Sequence, residues 1–156
     1  MIKKIQLSAT RVLPEVTTVW IEHGPEVDLV MKLPQLTFAP DSLETIYAFH
    51  VLDHLFPEEA GIALKNWYGC LQPKGELIIV VDDFEYVTRS FISGDISIDE
   101  VNERHNHPMQ FTPDNLIGLL KTAGWSLDNV VIWYQDFPNV WKKEKTELIF
   151  QAKKIL

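Results

Sequence analysis

Residues 36–83, LTFAPDSLETIYAFHVLDHLFPEEAGIALKNWYGCLQPKGELIIVVDD, decide how this chain folds. Within them residues 44–49 (ETIYAF) form a short apolar run entered through the turn formers Pro40, Asp41 and Ser42, the pattern of a buried strand. Leu55, Ala60, Ala63, Leu64, Trp67 and Leu71 then recur at helical spacing. Pro57 and the acids Glu58 and Glu59 stand where a helix start favours them. The sequence Gln72-Pro73-Lys74-Gly75 ends that helix, because proline cannot continue it and glycine permits a tight reversal. Residues 76–81 (ELIIVV) are continuously apolar, as a central strand covered on both faces must be, and they stop at Asp82-Asp83. Strand, helix and strand in this order make a parallel, right-handed crossover, so the predicted class is α/β. Ligands of such sheets bind beyond the carboxyl ends of the strands, which here means Phe49-His50 and Asp82-Asp83.

Outside this unit the composition sets bounds. A length of 156 residues predicts one domain, 1–156, with a substantial core. Hydrophobic residues make up 46% and charged residues 23%, which suits a globular protein in water. A net charge of −8 argues against nucleic acid or an anionic membrane as partner, since both select a basic surface. The single cysteine, Cys70, falls on the apolar side of the helix and predicts a buried structural thiol in a reducing, cytoplasmic setting. The start MIKKIQLS is too short an apolar run for a signal peptide, and no stretch has the length of a membrane span.

Taken in order, residues 3–7 and 17–21 predict the first two strands, and residues 27–31 a short third one closed by Pro34. Only residues 8–16 separate the first two, too few for a regular crossover helix, so a loop is expected. That would leave one sheet face without its helix, and a homodimer is the expected cover. Residues 84–91 predict an amphipathic helix ended by Ser93-Gly94-Asp95. Residues 96–101 predict an irregular acidic stretch, and residues 102–108 (NERHNHP) an exposed polar loop. Thr112-Pro113-Asp114 is an N-cap, an N1 proline and a first-turn acid, and Gly124 is a C-terminal stop. Residues 127–133 and 145–153 predict two last strands, the final one antiparallel to its neighbour.

Several polar groups are candidates for chemistry. His50 and His54 lie four apart with Asp53 between them, a spacing that serves a metal when a third ligand is present. No third ligand stands at a matching spacing, so no metal is expected, and a metal-dependent hydrolase built on His50, His54, Asp82 and His107 is the remote alternative. His105 and His107 can reach a ligand from their loop or simply be solvated. Asp82-Asp83 can supply a base or cap the helix that follows. Trp67 and Trp125 occupy core-facing positions, whereas Trp141 is placed to line a pocket or an interface. There is no GxSxG, P-loop or CxxC, and no glycine-rich turn follows the first strand.

Residues 36–55 resemble the "LPF-PD-S-D-IYASHVLEH" segment of class I S-adenosylmethionine-dependent methyltransferases, and are most similar to small methyltransferase-domain (type 11) proteins. Leu71-Gln-Pro-Lys-Gly-Glu-Leu-Ile-Ile resembles their "LKPGG-L-I" stretch. Phe111-Thr-Pro-Asp-Asn-Leu with Lys121-Thr-Ala-Gly-Trp resembles "FTPE-L … L-EAGF". The resemblance implies a three-layer Rossmann-like sandwich of about seven mostly parallel strands with an antiparallel C-terminal pair. It implies S-adenosylmethionine as cofactor. The contacts it carries over are Ser8, Ala9 and Thr10 in place of the family's glycine-rich "GCG", Glu22 for the ribose acid, Lys32 where the family has an acid for the adenine, and Phe49-His50 beside the cofactor. Asp82 and His107 are the candidate bases. Two expectations follow. One is a methyltransferase of a small or sugar-linked acceptor whose cofactor binding is impaired by the Cβ groups added where the family has glycine. The other is a methyltransferase-fold binding or assembly module without turnover.

Overall fold

The apolar run at residues 76–81 is the heart of a strand, and around it the chain builds one sheet. In the computed structural model, which describes residues 1–155, the strands are β1 (Lys4–Leu7), β2 (Thr17–Trp20), β3 (Leu29–Val30), β4 (Leu43–Phe49), β5 (Leu71–Asp82), β6 (Val130–Trp133) and β7 (Glu147–Lys153). Their order is β3-β2-β1-β4-β5-β7-β6. The first five run parallel, while β7 is antiparallel to both β5 and β6. Pairing of Phe49 with Val80 and of Asp82 with Glu147 sets the carboxyl ends of β4 and β5 beside the start of β7. The α/β class and the antiparallel last pair are as expected.

One sheet face carries two helices, α1 (Pro57–Cys70) and α4 (Pro113–Thr122). Ala60, Ala63, Leu64 and Trp67 of the first, with Leu116 and Leu120 of the second, pack on Ile46, Leu77, Ile79 and Phe150. Both helices start as predicted. The Glu59 carboxylate accepts the Phe56 N–H at 3.1 Å, and the Thr112 hydroxyl accepts the Asn115 N–H at 3.3 Å. Trp67 is fully buried, and its indole N–H donates to the Leu33 carbonyl at 2.8 Å, so the ring hides no unpaired donor. Cys70 is buried, and burial raises its thiol pKa, in keeping with a structural role.

Among the described residues no helix packs on the four side chains at the centre of the opposite face. Phe49, Ile78, Val80 and Ile149 are covered instead by Val12, Leu13, Phe137, Val140 and Trp141 from two connections. Residues of the chain itself thus cover these four side chains. What makes the short first crossover possible is Gln6. Its carboxamide is wholly buried; Oε1 accepts the N–H groups of Val12 and Leu13, at 3.0 and 2.8 Å. Nε2 donates to the carbonyls of Leu13 and Val16, at 2.9 and 3.0 Å. One side chain supplies the backbone partners that a helix would have supplied internally.

Three local expectations need correction. Residues 71–75 are not a clean break. Leu71 already pairs with Leu43, and the ladder shifts register before Thr45 pairs with Glu76. Gly75 is required there, because a Cβ would meet the Gln72 carbonyl at 2.8 Å. The acidic stretch after residue 96 contains a helix, α3 (Ile98–Arg104), begun by the Ser97 hydroxyl accepting the Glu100 N–H at 3.1 Å. None of its residues is buried. The polar loop at 102–108 is not simply exposed, since His105 is 5% exposed and faces the sheet. Between β5 and α3 lies α2 (Phe84–Ser93), ended by Gly94 at φ 83°. Among the described residues no helix is long and apolar enough to cross a membrane.

Candidate functional site

At the carboxyl end of β4 the chain turns sharply through His50, a non-glycine residue at φ 50°, a conformation held only where the surroundings impose it. Its backbone N–H donates to the Val80 carbonyl at 2.9 Å, and its ring meets three acids. Nε2 is 2.6 Å from Glu147 Oε1, while Nδ1 is 3.7 Å from Asp53 Oδ2 and 3.9 Å from Asp82 Oδ1. Burial alone lowers the imidazole pKa, but the Asp53 and Glu147 carboxylates outweigh it and raise the pKa to about 10. Burial raises Glu147 in turn. Its bonds to His50, to the Glu144 N–H and to the Trp141 indole N–H prevail, leaving its pKa below the ordinary value.

Asp82 ends β5 and organises a second group. Its Oδ2 lies 2.7 Å from His105 Nδ1 and 3.1 Å from His107 Nε2. The neighbouring acid has the other role foreseen for the pair, since Asp83 Oδ1 accepts the Glu85 and Tyr86 N–H groups and caps α2. The loop bearing the two histidines is tied down at several points. The Met109 N–H donates to the Asp53 carbonyl at 3.1 Å, and Gln110 Nε2 to the His105 carbonyl at 2.6 Å. Asp53 and His54 belong to a 3₁₀ turn, Leu52–His54, which brings the His54 ring to 4.4 Å from that of His107.

Two cavities meet at this place. One, of about 410 Å³, is lined by His50, His54, Asp82, His105, His107 and Trp141. The other, of about 450 Å³, lies along the ends of β1, β2 and β4, between Ser8, Ala9, Trp20, Ile21 and Phe49. His50 and His54 are their common wall. The second cavity continues through Ile21, Leu33 and Leu55 into a groove that reaches Lys32.

Of the residues expected around a cofactor, Ser8, Ala9, Phe49 and His50 line the second cavity and Lys32 its continuation. Glu22 and Thr10 are exposed and line neither. The added side chains do not fill the space. Ser8 is 8% exposed and turns its hydroxyl back to accept the Thr10 N–H at 3.3 Å. The expected bases, Asp82 and His107, are brought together, as are His50 and His54. Sequence reasoning missed His105 as a buried group, Glu147 and Gln6. His105 meets Asp82 from 23 residues away, Glu147 meets His50 from 97, and Gln6 reaches partners up to 12 away.

No protein-family model matches the chain, and no curated protein matches it in sequence. Solved structures do match it. An S-adenosylmethionine-dependent methyltransferase from Thermotoga maritima superposes with a TM-score of 0.70 at 13% identity, over 97% of this chain and 81% of that one. Another from Methanosarcina mazei gives 0.61 at 15%, over 90% and 82%. The 1,6-didemethyltoxoflavin-N1-methyltransferase of Burkholderia thailandensis, solved with S-adenosylhomocysteine, gives 0.58 at 17%, over 90% and 61%. The chain has the fold of class I S-adenosylmethionine-dependent methyltransferases.

Proposed function

We propose that this chain is an S-adenosylmethionine-dependent methyltransferase of a small acceptor, with the cofactor in the groove along β1, β2 and β4 and the acceptor in the acid–histidine cavity. The observation that carries this reading is the common wall. His50 and His54 separate an open, largely apolar cavity from a polar one at the carboxyl ends of parallel strands, where ligands of such sheets bind. Bound there, the cofactor supplies a methyl group activated on a sulfonium.

The chain's own residues do the rest. Ile21, Leu33 and Leu55 offer apolar surface for the flat adenosyl end, and Lys32 stands at the far end of the groove. Asp82 holds His107 by Nε2, which leaves Nδ1 as the proton acceptor for an acceptor hydroxyl or amine. Trp141 closes the cavity with its ring stacked on Phe49 and its N–H fixed on Glu147. Transfer between two adjoining sites needs mainly such positioning.

A second reading rests on residues 8–13. The N–H groups of Ser8, Thr10, Arg11, Val12 and Leu13 all have protein acceptors, leaving only that of Ala9 without one among the described residues. Glycine-rich loops hold anionic ligand ends with such groups. A groove that binds the adenosyl end but holds the amino-acid end loosely fits a binding module as well as a slow enzyme. Methyl-labelled S-adenosylmethionine incubated with panels of phenols, amines and free sugars decides between them. Label transferred by the wild type and lost in His107→Ala supports the enzyme; cofactor binding without transfer to any class supports the module.

A further inference from the structure

Among the described residues, Asp53 is the one buried side chain whose polar atoms lack a hydrogen-bond partner. Its side chain is 2% exposed, and neither carboxylate oxygen has a hydrogen-bond partner among the described residues. A buried carboxylate with no partner is costly enough that proteins pair it, protonate it or place it on a metal. The groups that face it are imidazoles. His107 Nε2 stands 3.5 Å from Asp53 Oδ2, and His50 Nδ1 is 3.7 Å away, both beyond a good hydrogen bond. One donor atom from each of Asp53, His54 and His107 falls within 4.8 Å of the others.

We propose that Asp53, His54 and His107 bind a divalent transition-metal cation. Metal–ligand bonds of about 2.0–2.2 Å place two donors on one ion roughly 3.0–3.5 Å apart, the spacing that Asp53 and His107 already have. Two imidazoles and one carboxylate favour a borderline ion such as Zn²⁺ or Ni²⁺ over Mg²⁺ or Ca²⁺, which take oxygen shells. Support for the ligands is also built. Asp82 Oδ2, 3.1 Å from the same His107 Nε2 and held by His105 at 2.7 Å, stands close enough to approach the same ion, while the Met109 N–H locks the backbone of Asp53. Three protein donors leave coordination positions open, and both histidines line the cavity that also holds Trp141. A ligand with a hydroxyl or carboxylate oxygen would complete the shell there. Loaded in this way, His107 is a ligand rather than a base, and the cation eases loss of the ligand's proton.

The cation site stands whether or not the groove accepts a cofactor, so the two are tested apart. Chelator-treated protein titrated with Zn²⁺ and with Ni²⁺ should take up one equivalent of at least one ion, with a dissociation constant below about 10 µM. Binding should raise the thermal midpoint. Asp53→Asn and His107→Gln should each weaken binding at least about tenfold. If Asp53→Asn does not fold, His107→Gln decides alone. Failure of the wild type to saturate with either ion below about 1 mM, or wild-type binding in the folded variants, overturns the proposal. S-adenosylhomocysteine titrated into the metal-free protein reports on the groove separately.

Discussion

The two cavities that meet at His50 and His54 are held together in opposite ways. The groove on the β1–β3 side is apolar, and the loop beside it has turned its hydrogen-bonding groups inward, onto Gln6 and Ser8. The pocket on the β4–β5–β7 side gathers Asp53, Asp82 and Glu147 against His50, His105 and His107. The first is therefore specified by shape and the second by charge. The same difference separates what each can do: the groove can hold a flat, largely apolar group, and the pocket can move a proton or hold a cation.

The largest effect should come from breaking the groove side. Gln6→Leu keeps the volume but strips partners from two N–H groups and two carbonyls in the β1–β2 connection. At about 1 kcal/mol for each lost bond, and more where a group stays buried, chemical denaturation should show a loss of about 3–5 kcal/mol. A loss under about 1 kcal/mol would mean that the connection does not depend on Gln6.

On the charged side the expected effect is smaller and depends on pH. Glu147→Gln removes the carboxylate from His50, whose side chain is 30% exposed and so partly screened; the cost near pH 6 should be about 1–2 kcal/mol. The raised pKa of His50 means that its contribution is full below the ordinary 6.5 and disappears as pH rises towards about 10. The lowered pKa of Glu147 means that its contribution is full above the ordinary 4.5 and disappears as pH falls below it. Wild-type stability from this pair should thus peak between 4.5 and 6.5, although Asp53 and Asp82 also face the ring. Unfolding measured from pH 4 to 10 should show the peak flattened in Glu147→Gln.

Much of this contrast was open to reading in the sequence, and the limit is physical. Pro57, Thr112-Pro113-Asp114, Gly94 and Gly124 act within a few residues of themselves, so each helix they start or stop could be placed. The uninterrupted residues 76–81 could belong only to a doubly covered strand, and they do. The short α3 buries nothing, so only its Ser97 cap and the first-turn acids Asp99 and Glu100 mark it. The burial of His105 is not legible because its partner, Asp82, is brought to it by the fold alone, and the lack of a hydrogen-bond donor at Asp53 is likewise a property of packing. Gln6 looks like any polar residue alternating in a strand until the chain has doubled back over it.

A finer test sharpens the groove. Ser8→Gly frees the Thr10 N–H that the serine hydroxyl occupies, restoring one donor for the amino-acid end of a cofactor. Affinity for S-adenosylhomocysteine should rise by up to about tenfold, the worth of one hydrogen bond to a charged group. Affinity for 5′-methylthioadenosine, which lacks that end, should not change.

The central claim is that the groove along β1, β2 and β4 takes the adenosyl end of the cofactor. Calorimetric titration of the wild-type protein with S-adenosylhomocysteine tests it most directly. Saturable binding at one site is predicted, with a dissociation constant between about 10 µM and 1 mM and 5′-methylthioadenosine within about tenfold of it. If neither ligand saturates the protein at millimolar concentration, the groove is not a cofactor site.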